Sequence, residues 1–471
     1  MNISLTSKSK TPHTIHIIDK EHKNKLPAHL KAYTEQALEL KKWQPFAIGV
    51  LPIVQSKDIV YHIVVYVKNM KKFDHHIEDV VAELGAHIKK IQKEFFLDLD
   101  GTIMSHKDKE LLQQLLVVNL YAFTKYKKEK KLHYHLHIKN SHTDEKKFIS
   151  LIESLKITRE LVNDPSNSVH PKTVEEEVHK LFGKHKHIKI QVIKGKDLEK
   201  KWLNGIYQVG KWSEHEPRLV LIEYTGKKGK WYDYALVGKG VCFDTGWYNI
   251  KPTGSMEDMK IDMAGAATVM GVLHYAIETK LAKNLIIGLP LVENMVSHNA
   301  YKPGDVITMY NGKTVEVGNT DAEGRLILGD TLSYIEEKYN PDTVFDFATL
   351  TGAQVVALGS RFAAILGRND KLNREIQDLG LELKDRVREL PFYEPYFKTY
   401  KSDIADMNNM STAGRMWPGT IGAGLFLSQF IENKNWVHFD IAGPASIAWD
   451  PLTGGGATGC MVRLITHLLT K

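Results

Sequence analysis

Cysteine is scarce: the 471 residues include only Cys242 and Cys460. Two are too few for a disulfide framework or a cysteine-based zinc site, and such sparse use fits a reducing compartment. No stretch approaches the roughly 18 consecutive apolar residues that a membrane-spanning helix requires. The N-terminus, MNISLTSKSKTPHTIHIID, is polar and carries no apolar targeting segment, so a cytoplasmic protein with no membrane partner is expected. Internal repeats and low-complexity segments are missing too. So are HExxH, P-loop and G-x-S-x-G patterns, which counts against zincin, nucleotide-hydrolase and serine-hydrolase chemistry. Acidic residues are in mild deficit, 56 against 63 Lys and Arg, for a formal charge of +7. The surplus lysine is dispersed, densest at 125–131 and 227–230. Such runs are usually solvated surface, so the charge gives little ground for nucleic-acid binding.

What is present suits a globular chain. A hydrophobic share of 43% and a charged share of 25% supply an ample core, and the length implies two or three domains. Up to about residue 145, an alternating segment at 59–67 (IVYHIVVYV) mixes with helical periodicity over 77–96 and 108–123, which reads as a small α/β unit. A polar patch at 139–147 precedes a helical run over 148–162 that stops at Asn163-Asp164-Pro165. We expect an N-terminal α/β domain over 1–147, a connecting helix over 148–165 and a larger catalytic domain over 166–471. In the last, strand-like segments at 192–193, 219–224, 234–237, 285–292, 343–348 and 436–441 alternate with helix-like runs such as 263–280 and 326–339. That order predicts an α/β fold with a mostly parallel central sheet flanked by helices, and a site at the carboxyl ends of its strands.

Two segments concentrate charge where such a sheet places its site: VGKGVCFDTGWYNIKPTGSMEDMKIDMAG (237–265) and VGNTDAEGRL (317–326). Asp321 and Glu323 are two apart, so in an extended loop both side chains point the same way. Gly318 and Gly324 flank them and permit tight turns. Arg325 adds a permanent cation able to hold an anion or a developing oxyanion. A lone Asp-x-Glu pair is common and says little. The first segment adds Asp244 and Asp262 with Lys239 and Lys251, and clustered acids call for cations, which two divalent ions would supply.

NTDAEGRL (319–326) resembles the signature of the leucine (cytosol) aminopeptidase family. The similarity continues through GKGVCFDTG (238–246), IKP (250–252), MEDMKIDMAGAA (256–267), FATLTGA (347–353), SDIADMNN (402–409) and WVHFDIAGPA (436–445), and begins at LVNDPSN (161–167). It spans the chain after the connector; nothing before the connector takes part. The resemblance implies a two-metal exopeptidase acting on peptides with a free N-terminus. Carried over residue by residue, it makes Lys239, Asp244, Asp262 and Glu323 ligands of one ion and Asp244, Asp321 and Glu323 ligands of the other. Lysine is an unusual ligand, because with a free pKa of about 10.4 it must give up a proton to bind. An oxygen shell with one nitrogen leaves manganese, zinc, cobalt and magnesium all open.

The mechanism implied has two ions roughly 3.5 to 4 Å apart that acidify a bridging water, one of them also anchoring the substrate amine. Lys251 polarises the scissile carbonyl and stabilises the gem-diolate, while Arg325 and the main-chain N–H of Leu350 hold a bicarbonate that carries the proton. Met259, Asn319, Thr349 and Gly352 match positions around the pocket for the first side chain, which implies a broad preference for Leu-like or Met-like residues. A homohexamer is also implied.

The chain departs from the family pattern at Trp247, where a second glycine is usual, and more mildly at Ala264. The bulky indole is expected to reshape the substrate pocket. Other features read as incidental. FFLDLDGTI (95–103) resembles the Asp-x-Asp-Gly-Thr motif of haloacid-dehalogenase-type phosphatases but lacks the domain that must follow it. Of the 22 histidines, His133, His135 and His137 alternate onto one face of a strand and read as a solvated face, as do the helix charges Lys156 and Arg159. A DNA-binding or scaffolding member of the same fold is the alternative function, and its support is the basic balance alone.

Overall fold

A computed structural model describes residues 3–6, 11–19, 26, 30–31, 45–55, 58–99, 102, 104–128, 134–139, 144–229, 231–414 and 417–471. It divides into two units, Met1–Ile152 with Ala448–Gly455, and Glu153–Ile447 with Gly456–Lys471. The division falls inside a single helix, Glu145–Asn163.

The first unit holds a six-stranded sheet ordered Ile3–Leu5, His135–Lys139, Glu94–Asp98, Thr14–Ile18, Asp58–Val67 and Phe46–Gln55. All neighbours are parallel except the last pair, an antiparallel hairpin. Helices Phe73–Ile91 and His106–Leu120 pack on each other. The first buries Phe73, Ile77, Val80, Val81, Leu84 and Ile88, the spacing of one helical face. The helix expected over 77–96 is thus displaced toward the N-terminus, beginning four residues earlier at Phe73. It ends at Ile91, where Gln92 adopts φ 55° as a left-handed cap, and Glu94 already begins a strand. His135 and His137 are half-buried rather than a solvated face: Ser4 Oγ lies 2.9 Å from His135 Nε2 and 3.0 Å from His137 Nδ1. His133, Lys130, Lys131 and Lys230, with Asp100, Gly101 and Ile103 of the phosphatase-like motif, lie outside the described residues.

The second unit is built on a nine-stranded sheet. Its order is Val387–Glu389, Ala363–Gly367, Trp436–Asp440, Thr343–Ala348, Tyr234–Gly238, Asn284–Asn294, Arg218–Thr225 and Ile188–Lys194, with Gly240–Asp244 also paired to Asn284–Asn294. Five of these pairings are parallel and three antiparallel, so the sheet is mostly parallel. Every residue of Asn284–Asn294 is buried. Side chains along the strands alternate between two apolar clusters: Val220, Ile222, Leu236, Leu285 and Ile287 join one, and Leu219, Leu221, Ala235, Val237 and Ile286 join the other. Two-residue alternation between two cores means that both faces are covered. One cluster takes in helix Ala264–Glu278, the other helix Gly324–Tyr339.

Arg159 is no solvated charge. It is only 2% exposed and its Nε donates to the Ala457 carbonyl at 2.7 Å. Among the described residues no helix is long and apolar enough to cross a membrane.

Candidate metal centre

Two chain runs bring residues to the carboxyl side of the sheet: Tyr234–Gly238 and Gly240–Asp244 follow one another along Asn284–Asn294, interrupted only at Lys239, and Thr343–Ala348 pairs with the first of them. Strand Tyr234–Gly238 delivers Lys239, strand Gly240–Asp244 ends on Asp244, and strand Thr343–Ala348 delivers Thr349. Asp262 arrives on the short 3-10 turn Met259–Met263 just before helix Ala264–Glu278. Asp321 stands in a turn, and Glu323 is the residue preceding helix Gly324–Tyr339, already at φ −74° and ψ −36°. The Asp321–Glu323 pair is thus not extended, as the spacing suggested; a turn and a helix start bring both carboxylates to the same place.

The flanking glycines also act differently from expectation. Neither Gly318 nor Gly324 has a positive φ. A Cβ on Gly324 would lie 2.7 Å from Lys239 Cε, and one on Gly318 would lie 2.2 Å from Asn408 Oδ1, so a side chain at either would have to displace Lys239 or Asn408.

All three donors of the Lys239 ammonium are taken, by Asp262 Oδ1 at 2.8 Å, Glu323 Oε1 at 3.0 Å and the Thr349 carbonyl at 3.0 Å. Lys251 Nζ lies 2.8 Å from Asp244 Oδ2 and 2.5 Å from Asp321 Oδ1. Further bonds fix the carboxylates. Asp244 Oδ1 accepts from Asn294 Nδ2 at 2.7 Å and the Gly246 N–H at 2.9 Å, and Asp262 Oδ1 accepts from Thr349 Oγ1 at 2.7 Å.

Four buried or half-buried carboxylates therefore share two ammonium groups. Burial opposes the charge of both lysines, yet the surrounding carboxylates hold Lys239 and Lys251 well above the ordinary lysine range. Burial pushes Asp244 and Asp262 up. Asp321 is pushed up to about 7 by burial and by the Asp244 and Glu323 charges. Burial also works against the Glu323 charge, but Lys239 and Lys251 hold that carboxyl below its usual range.

This donor set suits hard divalent cations. Asp244, Asp262 and Glu323 each offer an oxygen within 4.8 Å of the others, and buried Asp262 Oδ2 and Glu323 Oε2 have no hydrogen-bond partner. Buried oxygens left without a donor are costly unless a cation satisfies them.

The centre opens into a cavity of about 660 Å³. Met259, Asn319, Thr349 and Gly352 all line it, together with Leu350 and Arg325. Arg325 is pinned by its Nη1 donating to the Asn409 carbonyl at 2.7 Å and to Tyr400 Oη at 3.4 Å, while its Nε has no partner. The Leu350 N–H donates to Asp440 Oδ1 at 3.1 Å, a contact the resemblance does not suggest. Tyr400, Asn409 and Asp440 are the residues of this neighbourhood that sequence reasoning missed as individuals; Asn409 and Asp440 lie within family-like motifs, whereas Tyr400 carries no signal. Trp247 is corrected in the other direction. It is 2% exposed, packs in the core with Tyr301 and does not line the cavity.

The family model for the catalytic domain of the cytosol aminopeptidase family matches residues 156–466. This chain belongs to that family. It is accordingly a hydrolase of the exopeptidase class. A probable cytosol aminopeptidase of Pseudomonas fluorescens (strain Pf0-1) is 40% identical over 390 residues, covering 79% of this chain and 77% of that one. The crystal structure of cytosol aminopeptidase from Coxiella burnetii superposes with a TM-score of 0.85 at 28% identity, covering 99% and 98% of the two chains. The bottromycin maturation enzyme BotP in complex with Mn gives 0.81 at 27% identity, covering 98% and 99%. Both structural likenesses extend over the first unit as well, where the sequence carried no resemblance.

Proposed function

We propose that this aminopeptidase uses two divalent ions to release N-terminal residues, Leu-like or Met-like ones preferred, from peptides with a free N-terminus. What carries the reading is the convergence of Asp244, Asp262, Asp321 and Glu323 on two lysines, with buried carboxylate oxygens left unpartnered, at the mouth of a cavity. In this reading residues 166–471 form the catalytic domain. Lys239, Asp244, Asp262 and Glu323 hold one ion, and Asp244, Asp321 and Glu323 the other. When bound, the ions supply Lewis acidity toward water and a seat for the substrate amine, which confines cleavage to N-terminal residues. Manganese or zinc is favoured, with magnesium and cobalt compatible with the same oxygen-rich shell; the manganese in the BotP complex supports that choice.

The chain's own groups do the rest. Lys251 stays an ammonium at neutral pH because Asp244, Glu323 and Asp321 outweigh its burial, so it can hold the negative charge that develops on the scissile oxygen. Arg325, fixed by Asn409 and Tyr400, presents a permanent cation that would hold a bicarbonate, and that anion would supply a proton acceptor and donor beside the scissile bond. Met259, Asn319, Thr349 and Gly352 bound the first side-chain pocket, where apolar contact discriminates by only about 1 to 3 kcal/mol per methylene. A homohexamer completes the reading; at Leu350 a bicarbonate would have to take the N–H from Asp440 Oδ1, which that N–H meets at 3.1 Å.

The test is the initial rate of leucine p-nitroanilide hydrolysis by the manganese-loaded chain, beside a chelated sample and an N-acetylated substrate. Turnover that needs both metal and free amine is expected. Turnover of the acetylated substrate, or turnover that survives chelation, contradicts the proposal.

A further inference from the structure

Trp247 occupies a backbone conformation that side chains rarely adopt. Its φ is 57°, directly after Gly246 at φ 76°, and in this left-handed region Cβ crowds the following carbonyl. Such a conformation persists where the surroundings over-determine it. Here the indole is 2% exposed and meets the Tyr301 ring edge-on, centroids 4.7 Å apart at 78°. The Trp247 N–H donates to Thr245 Oγ1 at 3.2 Å, and Thr245 Oγ1 donates to the Asn294 carbonyl at 2.8 Å. The indole N–H itself has no acceptor, so the ring is held by shape and not by a polar bond.

Tyr301 transmits that placement. Its hydroxyl donates to the Thr320 carbonyl at 2.8 Å, and Asn294 Nδ2 donates to the same oxygen at 3.1 Å while also donating to Asp244 Oδ1 at 2.7 Å. Thr320 is wholly buried and adjoins Asp321. It is fastened to the loop after Asp244 by three more bonds: its N–H donates to Asn249 Oδ1 at 2.9 Å, its hydroxyl donates to the Gly246 carbonyl at 2.7 Å, and that hydroxyl accepts from the Asn249 N–H at 2.9 Å. A Cβ on Gly246 would lie 2.8 Å from Asp321 Oδ1, so the two loops touch.

We propose that Trp247 is a positioning residue for the metal centre: by bracing Tyr301 against Thr320, its buried indole fixes the Asp321 loop against the loop that carries Asp244. The inference rests on the two-metal reading above. It places Trp247 outside the substrate pocket and gives it a role in metal retention, because partners behind the ligands set how well a site holds its ion.

The experiment titrates Mn2+ into the full chain and follows unbound ion by its paramagnetic resonance signal. Wild type is compared with Trp247→Gly, Trp247→Phe and Tyr301→Phe, alongside kcat and KM for leucine p-nitroanilide and the melting temperature. Trp247→Gly is expected to weaken Mn2+ retention about tenfold and to lower kcat with KM nearly unchanged. Trp247→Phe, which keeps a ring and loses no hydrogen bond, is expected to stay within about twofold of wild type. Tyr301→Phe keeps the ring contact but removes the bond to Thr320, so it should shift retention in the same direction as Trp247→Gly. Wild-type retention in Trp247→Gly, even with a lowered melting temperature, would reduce the indole to core filling and overturn the proposal. If Trp247→Gly does not fold, wild-type retention in Tyr301→Phe overturns it equally. A wild-type chain that binds Mn2+ but cleaves no substrate would defeat the aminopeptidase mechanism and leave the retention series to judge the brace.

Discussion

The Lys239 ammonium lies 2.8 Å from Asp262 Oδ1, and the two side chains are 4% and 5% exposed. A buried lysine among carboxylates keeps its proton, whereas a lysine that binds a metal must lose it. Metal loading is therefore expected to release a proton from Lys239. Asp321, pushed up to about 7, contributes a second, partial release near neutrality. Above about pH 8.5 Asp321 is ionised and the Lys239 proton is still to be released, so affinity for Mn2+ should still climb by at least about tenfold per pH unit there. Calorimetry in buffers of different ionisation enthalpy counts the protons. Zero net release at that pH would mean that Lys239 is a structural counter-ion and not a ligand.

The proposed ligand sets overlap unequally. Asp262 and Lys239 serve one ion alone and Asp321 the other alone, while Asp244 and Glu323 serve both. Asp262→Asn and Asp321→Asn are each expected to retain about one ion per chain, and Glu323→Gln to retain none firmly. Each should lose at least about a hundredfold in kcat. Metal content after gel filtration, measured by mass spectrometry, decides the matter. Two ions retained by Asp262→Asn would break the assignment.

The parts of this site legible in the sequence were those with a fixed relation to the chain. Lys239 and Thr349 sit just past strands that apolar runs mark, whereas Asp244 ends strand Gly240–Asp244, which no apolar run marked. What misled was local conformation. Asp321 and Glu323 share a direction because a turn meets a helix start, which spacing alone could not distinguish from an extended loop. Gly318 and Gly324 looked like turn residues and are instead sites of close approach to Asn408 and Lys239. The consequence of Trp247 was misjudged because its left-handed φ turns the indole toward Tyr301 and away from the cavity. In the fold, the placement of Ala448–Gly455 with the first unit depends on long-range bonds such as Asn119 Nδ2 to the Leu452 carbonyl at 2.8 Å, for which no local pattern exists.

The described bonds of Arg325 go to the neutral Asn409 carbonyl and Tyr400 hydroxyl and to no carboxylate, and its guanidinium lies 5.9 Å over the Phe426 ring, which suits the proposed anion role. Arg325→Ala should lower kcat by roughly a hundred- to a thousandfold while KM moves by less than about threefold. Arg325→Lys should recover little, because a point charge cannot reproduce the planar fork. Steady-state kinetics with leucine p-nitroanilide checks both. A rise in KM at constant kcat would assign the arginine to substrate binding.

Behind the site, His438 Nδ1 lies 2.5 Å from Asp346 Oδ1, and Trp436 Nε1 donates to Asp346 Oδ2 at 2.7 Å. Both members of the pair are fully buried. Burial disfavours the imidazolium, but Asp346, helped by Asp440 and opposed by Arg325, raises the His438 pKa above 6.5. A folded pKa above the unfolded one stabilises the protein fully below the unfolded value, and that stabilisation fades as pH rises through the folded value. His438→Gln leaves the Asp346 carboxylate without its charge partner and should cost about 3 to 5 kcal/mol at the acid end. The gap in melting temperature between wild type and His438→Gln should therefore narrow as pH rises from about 6 to about 9. Because the variant shares every other titrating group, their effects cancel in the difference. A gap that widened as pH rose over that range would show that the pair is held neutral in the folded chain.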